Sequence, residues 1–324
     1  MKERKHRKHH IVRNDASGER LDRFLPQVFQ DLSRTEARKQ ISAGHIWING
    51  KPSRVQSRKL KNGDRITWKR PKEESSSSGE IQTAPSKVFS WEDYGGEPDF
   101  LYRDRHMAIM NKRSGIPIEP TPKEDIRTCL RQVEAFLRQS GIHPSKIYAA
   151  AAHRLDAGAS GAVAFATSKS AAKGLGQQFA ERSASRTYHA IVVGQVPKDK
   201  GVIQSYLART GPGIKRGSVS PSAKKAKVAI THYEVLERFE TATLMQVHLE
   251  TGRTHQIRVH FAEMGHPLVG DWLYCPEEFA EKCPPCERLM LHAQSLSIVH
   301  PIRKEDMTFT APYHPYFREY LEKL

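Results

Sequence analysis

His153-Arg154-Leu155-Asp156-Ala157-Gly158-Ala159-Ser160-Gly161 sets a carboxylate two residues behind an arginine and follows it with three turn-forming residues, Gly158, Ser160 and Gly161. The run Ala162-Val163-Ala164-Phe165-Ala166 comes next and reads as a buried strand. Glycine lets a backbone turn sharply and approach a ligand closely, so the pattern predicts Asp156 on a loop displayed beside a rigid sheet. The plainer alternative is a surface turn in which Arg154 and Asp156 are solvated. The nine residues alone leave both open.

Composition narrows the class. A chain of 324 residues suits two domains, or one large domain with a module, and 38% apolar residues suffice for a core. Residues 1–70 hold 19 Lys/Arg against 7 Asp/Glu, so +12 of the net charge of +16 lies there. That asymmetry predicts a front end that binds a polyanion. For residues 1–10 alone, a solubilising basic tail would explain the charge. No run of 18 apolar residues occurs, which predicts no membrane partner, and the basic N-terminus lacks an apolar segment of the secretory kind. Cys283-Pro284-Pro285-Cys286 has the spacing of half a zinc site, with Cys275 nearby, but no second C-x-x-C completes it. The expectation is a loop with reduced thiols, no metal, and a cytoplasmic, monomeric protein.

The chain divides into a basic tail over 1–17, a compact module over 18–70, a linker over 71–98 and a large domain over 99–324. In the module Arg20 to Leu25 opens a helical pattern. Ser33 followed by Glu36 signals the start of a second helix that ends near Gly44. Asn49-Gly50 after Ile46-Trp47-Ile48 signals a hairpin, and Asn62-Gly63-Asp64 with Ile66-Thr67-Trp68 completes a small sheet. The polar stretch Lys72 to Glu80 reads as a flexible linker. Beyond Asp99, short strands are expected at 100–102, 107–110, 188–193, 228–236 and 243–249, and helices at 124–139 and 168–181. Irregular alternation with long antiparallel pairs predicts an α+β domain with a mixed, largely antiparallel sheet flanked by helices. Neither G-x-G-x-x-G nor a phosphate-loop motif occurs, so no nucleotide cofactor is expected.

The 153–161 segment resembles the HRLD-x-x-T-S-G signature of the RluA family of pseudouridine synthases. Further blocks of that family follow in order: Arg186-Thr187-Tyr188-His189-Ala190, Thr251-Gly252-Arg253-Thr254-His255-Gln256-Ile257-Arg258, Gly265 to Asp271, and Leu291-His292-Ala293. The resemblance covers residues 99–324 almost continuously. Residues 18–70 resemble the alpha-L RNA-binding motif named after a small-subunit ribosomal protein, which implies that Arg34, Arg38, Lys39 and Lys51 face RNA phosphates. Taken singly, each of these cations reads as a solvated helix or turn residue.

The resemblance implies isomerisation of uridine to pseudouridine in RNA, with no metal and no cofactor, because nothing is oxidised and nothing leaves. Asp156 matches the family's reacting aspartate, acting either as a nucleophile or by removing a ribose proton. Arg258 matches the arginine that pairs with it, and a guanidinium favours the ionised carboxylate. Independently of the resemblance, Thr254 reads as the cap of a helix running to Met264, with Gly265 as terminator and Arg258 in its first turns. Tyr188 matches a tyrosine suited to stack on uracil and to assist the final proton transfer from carbon 5. Arg154 matches the residue that fills the gap left by an extruded nucleotide. Leu291 matches a pocket-wall residue, and Arg253 joins the substrate-binding set. His153, His255, His260 and His292 read as loop-orienting hydrogen-bonding groups.

Two departures stand out: Ala159 replaces the usual threonine, and Asn111-Lys112-Arg113-Ser114-Gly115 replaces the commoner N-K-P-x-G. Neither removes a required group. Family members carrying the RNA-binding module mostly act on large-subunit ribosomal RNA, with transfer RNA as the alternative substrate. A silent RNA-binding protein or RNA chaperone that kept the fold is the competing class, and the intact Asp156, Tyr188 and Arg258 argue against it.

Overall fold

The computed structural model describes residues 7–29, 32–69, 90–121, 126–211 and 214–324. Contacts divide the chain into two compact units, Met1–Ala84 and Pro85–Leu324. Most of the linker expected at 71–98 lies outside the described residues.

The N-terminal unit packs two helices on a small sheet. Its elements are β1 (Arg7–Ile11), α1 (Leu21–Val28), α2 (Arg34–Ser42), β2 (Ile46–Ile48), β3 (Lys51–Pro52) and β4 (Arg65–Lys69), with sheet order β1-β4-β2-β3. Ser33 caps α2 by accepting a hydrogen bond from the Glu36 amide at 3.2 Å. Asn49 and Gly50 both take positive φ, 50° and 81°, as a two-residue hairpin turn between twisted strands requires. Leu21, Phe24, Leu25, Ala37, Ile41, Ile46, Ile48, Leu60 and Ile66 fill the core. One expectation fails here. Residues 7–11, assigned to a basic tail, form a strand antiparallel to β4, with His9 opposite Thr67 and Ile11 opposite Arg65. Their cationic composition hides the pairing, because an edge strand needs its backbone groups more than an apolar face.

The larger unit begins with a short 3-10 turn at Trp91–Tyr94. Gln132 donates to the carbonyls of Tyr94 and Gly96, so residues 94–96, expected in the linker, belong to this unit. Then come β5 (Phe100–Arg103), β6 (Met107–Lys112), α3 (Cys129–Gln139), β7 (Ala150–Ala151), β8 (Ser160–Ala166) and α4 (Lys169–Glu181). The helix α3 begins at Cys129, capped by Thr128, rather than at 124. Next are β9 (Ser185–Val193), β10 (Lys200–Arg209), β11 (Arg216–Ser218), β12 (Lys227–Arg238) and β13 (Ala242–Leu249). The chain closes with α5 (Gln256–Glu263), α6 (Glu277–Ala280), β14 (Leu291–Val299), β15 (Asp306–Thr310) and α7 (Pro315–Leu321).

These strands make one mixed sheet of order β11-β10-β12-β13-β9-β14-β8-β6-β5, with β15 beside β14 and β7 beside β8. Only the β8–β14 pair is parallel, through His292 with Ser160 and Ala293 with Gly161. That crossing needs close backbones: at Gly161, with φ of 105°, an added Cβ would lie 2.3 Å from the Ala293 carbonyl oxygen. Antiparallel pairing of β12 with β13 joins the two long strands expected near 228–249. The main core gathers Val163, Phe165, Tyr188 and Leu291 from one face of the sheet and packs them with Ile257 and Phe261 of α5. The fold is therefore α+β.

Candidate active site

The loop that presents Asp156 is held from below by a buried lysine. Lys112 ends β6 fully enclosed, and its Nζ donates to the carbonyls of Arg113 at 2.9 Å, Ala157 at 2.9 Å and Ala159 at 2.6 Å. Burial lowers its pKa to about 8. Ser114 adds a hydrogen bond from Oγ to the Gly158 carbonyl at 2.6 Å, and the Gly115 amide donates to Ala157. So residues 112–115 tie down the carbonyls of 157, 158 and 159. The buried Ala159 carbonyl, which water cannot reach, needs such a partner.

With its backbone so fixed, Asp156 projects a carboxylate whose side chain is 21% exposed, toward Arg258. Arg258 is 8% exposed and forms a bidentate pair with Asp271, Nε to Oδ2 and Nη2 to Oδ1, both at 2.7 Å. Its remaining nitrogen, Nη1, lies 3.5 Å from Oδ2 of Asp156. Burial works against the arginine's charge, yet its hydrogen bonds to Asp271 and the nearby carboxylate charges raise its pKa above the ordinary value. A planar guanidinium locked at two corners presents its third in a fixed direction. Tyr274 lies beneath, with its ring centroid 5.0 Å from the guanidinium carbon. Its hydroxyl accepts from the Arg216 amide and hydrogen-bonds His255.

The helix bearing Arg258 starts differently from the sequence expectation. Thr254 is not the cap: His255 occupies that position with φ of 61° and makes no side-chain cap bond. Gln256 supplies the fastening, accepting from Thr251 Oγ1 and the Arg253 amide, and donating to Ile230 and Thr231 on β12. Arg258 therefore sits in the first turn of α5, and Gly265, with φ of 86°, terminates the helix as expected.

Tyr188 lies on β9 between Val247 of β13 and Ala293 of β14, nearly buried. Burial raises its phenol pKa, the charge of Arg186 counteracts this, and the Asp156 charge adds to the rise. Tyr188 and Asp156 thus share one electrostatic environment. Arg154 is exposed. Leu291 lies buried in the cluster that includes Tyr188, Leu155 and Ile257. Arg253 Nε donates to the Val228 carbonyl, which pins it against β12.

Each of the four histidines has a fixed partner. His153 accepts from the Ala164 amide and stacks on Phe179, and burial lowers its pKa to about 3. His260 bridges Thr231 and Ser205, and His292 bridges Ser160 and the Ala311 carbonyl; burial lowers both to about 4. The Cys283 thiol donates to Thr241 and that of Cys286 to Arg288. Among the described residues no group of three or more acidic, histidine or cysteine side chains is arranged to hold a metal.

In the N-terminal unit Asp22 is wholly buried and gathers Arg20, Arg34 and Arg38 at 2.9–3.3 Å. The hydrogen bond from Arg20, then those from Arg38 and Arg34, hold its carboxyl well below the usual carboxylate range despite burial. Two of the cations expected to face phosphate are thus oriented from behind by an internal carboxylate. Lys39 is 73% exposed and Lys51 is exposed on β3.

Residues 106–263 match the family model for RNA pseudouridylate synthase, and residues 19–66 match the S4 domain. An RNA pseudouridine synthase of Aquifex aeolicus is 33% identical over 91% of this chain and 90% of its own length. The chain belongs to the RNA pseudouridine synthases. Ribosomal large subunit pseudouridine synthase D of Vibrio cholerae is 30% identical over 93% of this chain and 90% of its own. The solved structure of human RNA pseudouridylate synthase domain containing 1 superposes with a TM-score of 0.57 at 25% identity, over 72% of this chain and 89% of that one. The protein is thus an RNA uridine isomerase with an S4 RNA-binding domain, and no helix among the described residues is long and apolar enough to cross a membrane.

The sequence reading missed Asp271, Lys112 and Tyr274. Asp271 stands next to Gly270 in a quoted motif, but only the fold brings it to Arg258, 13 residues earlier. The signal available for Lys112 was its place in the Asn111–Gly115 turn, where a lysine ending an apolar strand predicts a buried amine with internal acceptors.

Proposed function

We propose that the protein isomerises specific uridines of large-subunit ribosomal RNA, with Asp156 as the reacting carboxylate and without a cofactor or metal. The Asp156–Arg258–Asp271 arrangement carries this reading. Arg258, locked by Asp271, sets a fixed positive charge beside the Asp156 carboxylate and aims it, as either route requires. In the reaction the bond from N1 to the ribose C1′ breaks, the uracil turns, and C5 bonds to C1′. The C5 proton is then lost and N1 gains one, so the isomer balances without oxidant or leaving group.

Tyr188, close enough to Asp156 to feel its charge, is suited to contact the uracil and to carry the C5 proton through its hydroxyl. Arg154, exposed at the loop, would occupy the gap left by the extruded nucleotide, and Leu291 and Arg253 would line the pocket. The ribosomal assignment leans on the relatives named as large-subunit enzymes and on the S4 domain, where Arg34, Arg38, Lys39 and Lys51 would contact phosphates. The test is a pseudouridine map of total RNA from cells with and without the gene. One or more sites lost from large-subunit ribosomal RNA support the proposal, and losses confined to transfer RNA refute its substrate half.

A further inference from the structure

Among the exposed large apolar side chains of the described residues, Trp272 is the only aromatic one and the most exposed, at 79%. Its neighbours go the other way. Asp271 is buried on Arg258, Leu273 and Tyr274 pack with Val259 and Leu207, and Cys275 packs with the Val193 and Met290 cluster. Its backbone is fixed, because Asp271 Oδ1 accepts from the amides of Leu273 and Tyr274 and the Asp271 carbonyl accepts from Cys275. An indole is buried on average in folded proteins, so one left in solvent on a fixed backbone, next in sequence to the Asp271 that binds Arg258, calls for an occupant.

The cleft behind Trp272 says which kind. Its volume is about 580 Å³, and Val193, Val269, Cys275 and Pro284 give it mostly apolar walls. The charged groups that border it are Asp271, already paired with Arg258, and the carboxylates Glu281 and Glu287, and no cation lines it. A phosphate is repelled from such a space, whereas the flat, neutral face of a base is accepted on the indole. We propose that Trp272 is a stacking platform for an unpaired base of the RNA substrate next to the target uridine, with the ribose-phosphate backbone kept outside the cleft. The inference rests on the reading of Asp156 and Arg258 as the reacting site, which sets the direction from which RNA arrives. Extruding one nucleotide from its stack leaves its neighbours without a partner, and an aromatic platform at the rim would supply one.

The test is made in the full chain carrying Asp156→Asn, so that no product forms, with single-stranded oligouridylate and a duplex RNA of equal length as probes. Trp272→Ala should weaken single-strand binding by about 5- to 150-fold, the range of one base–aromatic stack, and leave duplex binding unaffected. Trp272→Phe should restore most of the affinity while removing the part of the RNA-induced fluorescence quenching that position 272 contributes. Unchanged single-strand affinity in Trp272→Ala, equal weakening on both probes, or a change in self-association instead would each overturn the proposal. Turnover by Asp156→Asn, measured separately on substrate RNA, bears on the reacting site and not on Trp272, so the two ideas fail apart.

Discussion

Asp271 grips Arg258 through two parallel hydrogen bonds of 2.7 Å, while the same guanidinium meets Asp156 at 3.5 Å. The unequal lengths separate the roles. The short pair is fully buried on the Asp271 side, and the longer contact reaches a carboxylate that stays partly exposed.

Replacing Asp271 should therefore cost both stability and turnover. Asp271→Ala leaves the buried Arg258 without its counter-charge, a loss of about 3–5 kcal/mol in unfolding free energy. Denaturant titration of the variant checks the stability, and single-turnover isomerisation checks the second effect, expected to be a loss of tenfold or more as Arg258 loses its orientation (about 1.4 kcal/mol in the barrier). A variant as stable and as fast as the wild type would show that Asp156 alone orients Arg258.

Lys112→Met should release the Asp156 loop from beneath. The methionine removes the Nζ donor: the Ala157 carbonyl keeps the Gly115 amide, but the buried Ala159 carbonyl is left unsatisfied, at about 1–3 kcal/mol. Faster hydrogen exchange confined to residues around 157–161, together with slower isomerisation, is the expected result. Unaltered exchange there would mean that other contacts hold the loop.

Acidification should weaken the larger unit before carboxylates titrate. Burial holds His153 at about 3 and His260 and His292 at about 4, all below the ordinary histidine value of 6.5. The unfolded chain then binds protons that the folded chain refuses, so stability falls as pH drops from about 6.5 toward 4. Each histidine contributes up to about 1.4 kcal/mol per pH unit inside that window. Unfolding free energies measured from pH 7 to pH 4.5 should decline, and a flat profile would contradict the buried, neutral assignment.

Asp22→Ala sets charge against geometry. It removes a negative charge from a basic face, which by itself would tighten RNA binding. It also frees Arg20, Arg34 and Arg38 from their common anchor. If orientation dominates, affinity should fall by about tenfold, the worth of one charge-assisted hydrogen bond. Tighter binding would mean that the arginines act only as diffuse charge.

Much of this was legible in the sequence where local chemistry dictates structure. Gly158 and Gly161 announced the turn into β8, Ser33 announced α2, and Asn49-Gly50 announced its hairpin. What escaped is set by distant partners. Arg34 and Arg38 looked like cations for phosphate, because Asp22 lies a helix away and its burial is a tertiary fact. The start of α5 was misread at Thr254, since a left-handed His255 and the long reach of Gln256 leave no short-range signature. Asp271 was invisible as a site residue for the same reason, and Arg7–Ile11 lacks the apolar alternation by which strands are recognised.

The central claim, that Asp156 is the reacting group, is tested most directly by single-turnover isomerisation of a large-subunit ribosomal RNA fragment by Asp156→Asn, with RNA affinity measured in parallel. The amide keeps the shape of the side chain but can neither attack C1′ nor take a ribose proton. The account predicts no detectable pseudouridine and an affinity close to that of the wild type. A rate within about tenfold of the wild type, a barrier change of only ~1.4 kcal/mol, would contradict it.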